Sequence, residues 1–346
     1  SNNKQFIFNE IAYASVPLLY EFDARHLSNL IYAFGLAEVI IPVEDGSTFF
    51  ESLAEVAKTI LHEFNGQDLS NMLWAFGNMK ISNPQLFEKA GDTIVAFDGL
   101  GDLWPQALSN ILWAFAKLEE PHPKLFIKLS DHISGLGNLD GFKSQHLSNI
   151  VWAYATAGES YPKLFKKTGN HIGGLDNLDR FNGQALSNIL WAFATLGESH
   201  AKLFKKVVDH ISALDNLDDF KPQELSNIVW AYATAGESHP TMFKKIGNHI
   251  IGLDNLNRFD AQAFSNILWA CATAKESHPK LFQKVADHIV ALDNLKDFIP
   301  QHLSNTVWAY ATAKESHPEL FQKLVDAAFI RQHGFTSLGI VNFLWA

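Results

Sequence analysis

Leu186-Ser187-Asn188-Ile189-Leu190-Trp191-Ala192 is the stretch that decides the fold, because the same phrase recurs along the whole chain. Its asparagine stands at Asn29, Asn71, Asn110, Asn149, Asn188, Asn227, Asn266 and Asn305; after one step of 42 residues the spacing is 39 throughout. Trp74, Trp113, Trp152, Trp191, Trp230, Trp269 and Trp308 hold the aromatic position, with Tyr32 in the first copy. A partial ninth copy reads Asn342-Phe343-Leu344-Trp345-Ala346. Self-similarity at a fixed period of this length is the signature of a tandem array.

A longer period lies over the first. Residues 145–182 differ from residues 223–260 at 8 of 38 positions but from the adjacent 184–221 at 13, so an Ile-Val-Trp-Ala-Tyr copy alternates with an Ile-Leu-Trp-Ala-Phe copy. Duplication of a two-repeat unit explains the alternation.

Each copy reads as two helices. The first covers roughly residues 183–196 of the Asn188 copy; it carries no charge and is apolar on nearly every side, which predicts burial. Asn65, Asn182 and Asp260 are good N-caps, Pro105, Pro222 and Pro300 suit a first turn, and Gly158, Gly197 and Gly236 suit the stop. The second helix follows Glu-Ser-His-Pro, with Pro240, Pro279 and Pro318 in its first turn. Leu203, Phe204, Val207, Val208, Ile211 and Leu214 then follow amphipathic helical spacing, with Lys202, Lys205, Lys206 and Asp209 opposite. One such pair cannot bury its own first helix, whereas stacked neighbours can. The expected fold is therefore an all-α solenoid of 39-residue helix-turn-helix repeats, an elongated, curved rod. Residues 1–64 read as an atypical capping region with an acidic insertion around Val43-Glu44-Asp45-Gly46, residues 65–326 as regular repeats, and residues 327–346 as a truncated copy. The chain thus reads as a segment, with any targeting sequence or further domain expected outside it.

Composition agrees. The chain is 47% hydrophobic and 18% charged, enough for a large core and incompatible with disorder. No run approaches the length of a membrane span. The lone Cys271 gives no disulfide framework and stands where sister copies carry Phe193 or Tyr232, so it reads as core. The net charge of −10 runs against the basic footprint usual for nucleic-acid binders.

Catalysis has no foothold, because every chemically interesting residue is repeated and a catalytic site is one place. No cofactor, metal or small-molecule substrate is expected. His122, His200, His239, His278 and His317 fall in the inter-helix turn, and His132, His171, His210, His249 and His288 on the second helix. Neither register has metal-site spacing, so both read as capping and packing groups. The tryptophans read as core, being set in an apolar helix. The asparagines Asn71, Asn110, Asn149, Asn188, Asn227, Asn266 and Asn305 read as a structural ladder satisfying the neighbouring repeat's loop.

The remaining candidate is the N-terminal edge of the first helix. The glutamines Gln67, Gln106, Gln145, Gln184, Gln223, Gln262 and Gln301 never vary, while the next residue does: Asp68, Ala107, His146, Ala185, Glu224, Ala263, His302. Two residues before the glutamine stands a second changing position: Asn65, Trp104, Lys143, Asn182, Lys221, Asp260, Ile299. Gln184, Asn188 and Thr195 continue this edge as a thin polar stripe at i, i+4, i+11 spacing. Constant positions to hold a polymer and variable ones to select are what an RNA reader needs. The residues predicted to contact RNA are Asp68, Trp104, Lys143, His146, Asn182, Gln184, Lys221, Gln223, Glu224, Asp260, Gln262, Gln301 and His302. Free drift of exposed residues explains the variability equally well.

The Leu-Ser-Asn-Ile-Leu-Trp-Ala phrase, followed by a second amphipathic helix, resembles the octotricopeptide repeat family and the helical arrays found beside FAST-kinase-like and RAP domains. The resemblance covers residues 21–346. It implies an α-solenoid acting on single-stranded RNA in a chloroplast or mitochondrion, in transcript stabilisation, processing, translation or ribosome assembly. The alternative expectation is a protein–protein scaffold or structural subunit of a large organellar complex.

Overall fold

Helix starts recur at the predicted caps and prolines. The computed structural model describes residues 2–43, 46–198, 200–237, 239–276, 278–331 and 334–345, the side chains of residues 2 and 338 apart. Glu44 and Asp45 of the acidic insertion and Ala346 of the last copy lie outside the described residues. The described helices are α1 (Asn2–Ser15), α2 (Ala24–Ala37), α3 (Phe49–Ile60), α4 (Gly66–Met79), α5 (Pro84–Ala96), α6 (Pro105–Lys117), α7 (Pro123–Gly135), α8 (Ser144–Thr156) and α9 (Pro162–Gly174). They continue with α10 (Gly183–Thr195), α11 (Ala201–Ala213), α12 (Pro222–Ala235), α13 (Pro240–Gly252), α14 (Ala261–Thr273), α15 (Pro279–Ala291), α16 (Pro300–Ala313), α17 (Pro318–Ile330) and α18 (Ser337–Trp345). No strand occurs among the described residues; Pro42 and Thr48 form an isolated bridge. The chain is an all-helical tandem-repeat solenoid.

Residues 1–168 and 169–346 form two compact units. In the first, α2, α4, α6 and α8 pack on one another in sequence, and α3, α5 and α7 do so behind them. In the second, α10, α12, α14, α16 and α18 form the corresponding layer, backed by α11, α13, α15 and α17. The first-helix layer is the more closely packed because it meets through small residues. Ala114, Ala153, Ala192, Ala231, Ala270 and Ala309 are fully buried. A Cβ built on Gly35 would come within 2.6 Å of that of Ala75, so the backbones approach as nearly as glycine allows. The serine of the repeated phrase is buried too, and Ser109, Ser148, Ser187, Ser226, Ser265 and Ser304 satisfy their hydroxyls on the carbonyl three residues back.

Two further devices fasten each repeat to the one before it. In the tyrosine copies, the buried Tyr154, Tyr232 and Tyr310 hydroxyls donate to the carbonyls of Phe126, Phe204 and Phe282 at 2.6–2.8 Å. Burial raises the pKa of these phenols well above their ordinary value, so they stay protonated donors. On the second helices, Lys128, Lys167, Lys206, Lys245, Lys284 and Lys323 recur at the repeat period. Lys128 donates to Val95 and Phe97, Lys167 to Ser134 and Leu136, and Lys206 to Asp176. Lys245 donates to Ser212 and Leu214, Lys284 to Ile251 and Leu253, and Lys323 to Val290 and Leu292. All but one of these ammonium groups therefore sit on the carbonyl end of the preceding second helix, where free acceptors and the helix dipole favour a cation; Lys206 reaches the loop just beyond. Lys206, which the amphipathic spacing sets opposite the apolar face, is thus occupied within the fold, as is Lys167.

Three of the five turn histidines cap as expected, whereas the His239 and His278 side chains make no capping bond. His122, His200 and His317 cap the second helices, their Nδ1 atoms accepting from the Leu125, Leu203 and Leu320 amides at 3.2 Å. Cys271 is buried among apolar neighbours, and burial, with Glu276 adding to it, pushes its thiol up to about 12, so it is no nucleophile.

Candidate nucleic-acid interface

The first helix presents one edge to solvent. In every copy from the second to the eighth the glutamine is exposed, while the asparagine four residues on and the tryptophan seven residues on are each half-buried. For α10 these are Gln184, Asn188 and Trp191, with exposed Thr195 continuing the line; the spacings 4, 7 and 11 keep all four on one helix face. The first unit carries three such triplets and the second four. Tyr32 and Trp74 lie 5.1 Å apart between ring centroids in the first unit, and Trp269 and Trp308 6.4 Å apart in the second.

The tryptophans are therefore not core as their apolar helix suggests. The residues that fill the core at that level are the neighbouring Leu190 and Phe193, both essentially inaccessible, and the indole lies along the rim of the polar edge. The expected asparagine ladder does not form either. Among the described residues, the hydrogen bond made by this row is within one helix, Gln67 Nε2 donating to Asn71 Oδ1 at 2.8 Å. Amide and indole together form an uncharged strip that can offer donors, acceptors and flat aromatic area.

The variable positions at the helix start have a different explanation from selection. Asn182 and Asp260 cap their helices directly, accepting from the Ala185 and Ala263 amides at 2.9 and 2.7 Å. Where the cap position holds lysine, the third helical residue turns back instead: Glu224 accepts from the Lys221 amide at 2.9 Å, and His146 Nδ1 from the Lys143 amide at 3.3 Å. Asn65 and Asp68 do both at once, and Asp68 also accepts from Ser28 of α2 at 3.1 Å. In five of the seven copies one of the two positions supplies a capping group, whereas Trp104 with Ala107 and Ile299 with His302 supply none, their helices opening on Pro105 and Pro300 instead. Asp68, His146 and Glu224 are buried, and His302 is half-buried. Burial lowers the His146 pKa, with Lys143 adding to it; burial also lowers that of His302, so both imidazoles favour the neutral form. Of the predicted contact residues, Trp104, Lys143, Asn182, Gln184, Lys221, Gln223, Asp260, Gln262 and Gln301 remain exposed beside the strip.

No group of three or more potential metal ligands lies together among the described residues. No described helix is long and apolar enough to cross a membrane.

Comparison with known proteins adds a family. Residues 103–346 match the family described as RESC6: RNA-editing substrate-binding complex 6 protein, a helical-repeat assignment that is not specifically octotricopeptide. No curated protein matches the chain. Among solved structures, one chain described as a homology model of the full-length AP-3 complex in an intermediate open conformation aligns at 10% identity and a TM-score of 0.33. The alignment covers 95% of this chain and 61% of that one, and a likeness this slight carries no argument.

Proposed function

The chain belongs to the RNA-editing substrate-binding complex 6 protein family, and on that footing we propose that it is a non-catalytic organellar array that binds single-stranded RNA along the Gln–Asn–Trp strip of its first helices. The observation that carries this reading is the strip itself: seven copies of an exposed glutamine with a half-buried asparagine and indole on one helix face. Indole faces stack on any base, at about 1–3 kcal/mol per base, and amides pair with base edges. Splayed single strands offer both faces and edges, whereas a duplex hides them. The resemblance to octotricopeptide arrays supports the same reading and the placement in a chloroplast or mitochondrion, with a role in transcript processing or stabilisation.

The alternative reading is a protein–protein scaffold or structural subunit of a large assembly. The two roles are compatible in a protein of a multi-subunit complex.

The test is titration of the purified chain with fluorescent single-stranded RNA, read by anisotropy, beside duplex RNA of the same length. Single-strand binding weakened at least tenfold by Trp191→Leu with Trp230→Leu supports the proposal. Equal binding of single strand and duplex, or no binding of either, overturns it and leaves the scaffold role.

A further inference from the structure

Each copy of the strip presents the same three side chains, from Gln67, Asn71 and Trp74 to Gln301, Asn305 and Trp308. Of the two positions that differ between copies, the one after the glutamine is largely withdrawn from any ligand, while the one two residues before it stays exposed at the helix start, ahead of the strip. Asp68, His146 and Glu224 are buried in capping their own helices, and the copies between them carry alanine at that place. An array that reads a mixed sequence needs variable side chains at the surface of each repeat, as in helical-repeat readers that assign one base to each repeat by two or three side chains. Within the strip itself the reading atoms are constant.

Resting on the RNA-binding reading above, we infer that the strip selects a run of a single nucleotide in single-stranded RNA, held about one base to a repeat. An asparagine amide offers one donor edge and one acceptor edge, so its orientation decides which base it accepts. The same orientation repeated along each unit then accepts the same base at every step. The indole beside each amide stacks on that base and fixes its plane.

The charges around the strip define the kind of binding. The triplets hold no ionisable group, and the cations along the same edge are six: Lys143 and Lys221 at helix starts, Lys117 at the end of α6, and Lys80, Lys275 and Lys314 at helix stops, with Asp260 at an equivalent start and Glu38 and Glu119 at equivalent stops. Single-strand binding loses affinity with salt at a log–log slope of about −0.7 per phosphate neutralised. A strand held by stacking and amide bonds, with these six lysines nearby, gives a slope no steeper than about −4.

The experiment uses the full chain and five labelled RNAs of about fifteen nucleotides: the four homopolymers and one shuffled strand containing all four bases. One homopolymer is expected to bind at least tenfold tighter than the shuffled strand, with the shallow salt slope, and to quench tryptophan fluorescence. Asn188→Ala combined with Asn227→Ala, both at the surface of folded helices, is expected to bring that preference below threefold while other binding persists. Two results overturn the inference and leave RNA binding standing: all five strands within twofold of one another, or the shuffled strand binding best. A homopolymer preference without tryptophan quenching overturns the stacking geometry. Binding of none overturns the RNA reading as well.

Discussion

Replacing Lys245 with methionine keeps most of the side chain's length and apolar stem but removes its ammonium, so it isolates the bond between α13 and the end of α11. That ammonium is half-buried and donates to Ser212 O at 3.0 Å and to Leu214 O. Hydrogen bonds from charged donors contribute about 1.5–3 kcal/mol, and a cation at a helix C-terminus about 0.3–1 kcal/mol. Partial exposure weakens both terms, and water partly re-satisfies the freed carbonyls. The expected loss is about 1.5 kcal/mol. In a stacked array, stability is close to a sum of repeat and nearest-neighbour terms. Lys245→Met, Lys284→Met and Lys323→Met share no acceptor, so together they cost about 4 kcal/mol if additive. Urea unfolding followed by far-ultraviolet circular dichroism measures this, as a lower midpoint. RNA affinity is expected to change less than twofold, because this lysine register serves the fold. A single-variant loss below about 0.5 kcal/mol refutes the energetic argument, and a large loss of RNA affinity in the folded variant refutes the division of labour.

Tyr232→Phe removes the 2.6 Å bond to Phe204 O with little change of shape, and is expected to cost about 1 kcal/mol in the same assay. Lys275 has a φ of +58° at the stop of α14, a place that three other copies give to glycine; Lys275→Gly is expected to stabilise by about 1 kcal/mol in thermal or urea unfolding. Burial lowers the pKa of His132, His146, His200, His210, His249, His288 and His302 below the ordinary value of 6.5. The unfolded chain therefore binds more protons than the folded one as pH falls below about 6.5. Stability is expected to drop progressively from pH 7 to pH 5, and replacing His132, His210, His249 and His288 with glutamine to flatten that slope; an unchanged slope counts against the assignment.

The period, the two-helix unit, the caps and the core faces were all legible, because each depends on residues a few positions apart. The exposed tryptophans were less so. An uncharged helix reads as buried on all sides, and only the 4, 7, 11 spacing of Gln184, Asn188, Trp191 and Thr195 shows that the indole shares the polar edge. The lysine fastening joins atoms of residues 30 to 33 apart, beyond any local pattern. Its trace was nonetheless present: Lys128, Lys167, Lys206, Lys245, Lys284 and Lys323 are constant, while the preceding residue runs from Ile127 through Lys166 to Gln283. The capping exchange was visible as paired variation, Lys221 with Glu224 against Asn182 with Ala185, but paired variation alone does not separate a cap from a reading code. Only the burial of Glu224 does.

The recurring lysine, tyrosine and histidine fastenings between repeats face one way. Lys245 reaches back to α11, Tyr232 reaches back to Phe204, and His200 lies back over Gly169, where an added Cβ would meet its ring at 2.5 Å. Each repeat brings the donors, and its predecessor supplies carbonyls that water can satisfy in the meantime. A growing chain emerging from the ribosome thus exposes a finished platform whose leading end is tolerated in solvent, and every new segment arrives with its own clasps. These clasps therefore run in the order of synthesis, from the amino end to the carboxyl end.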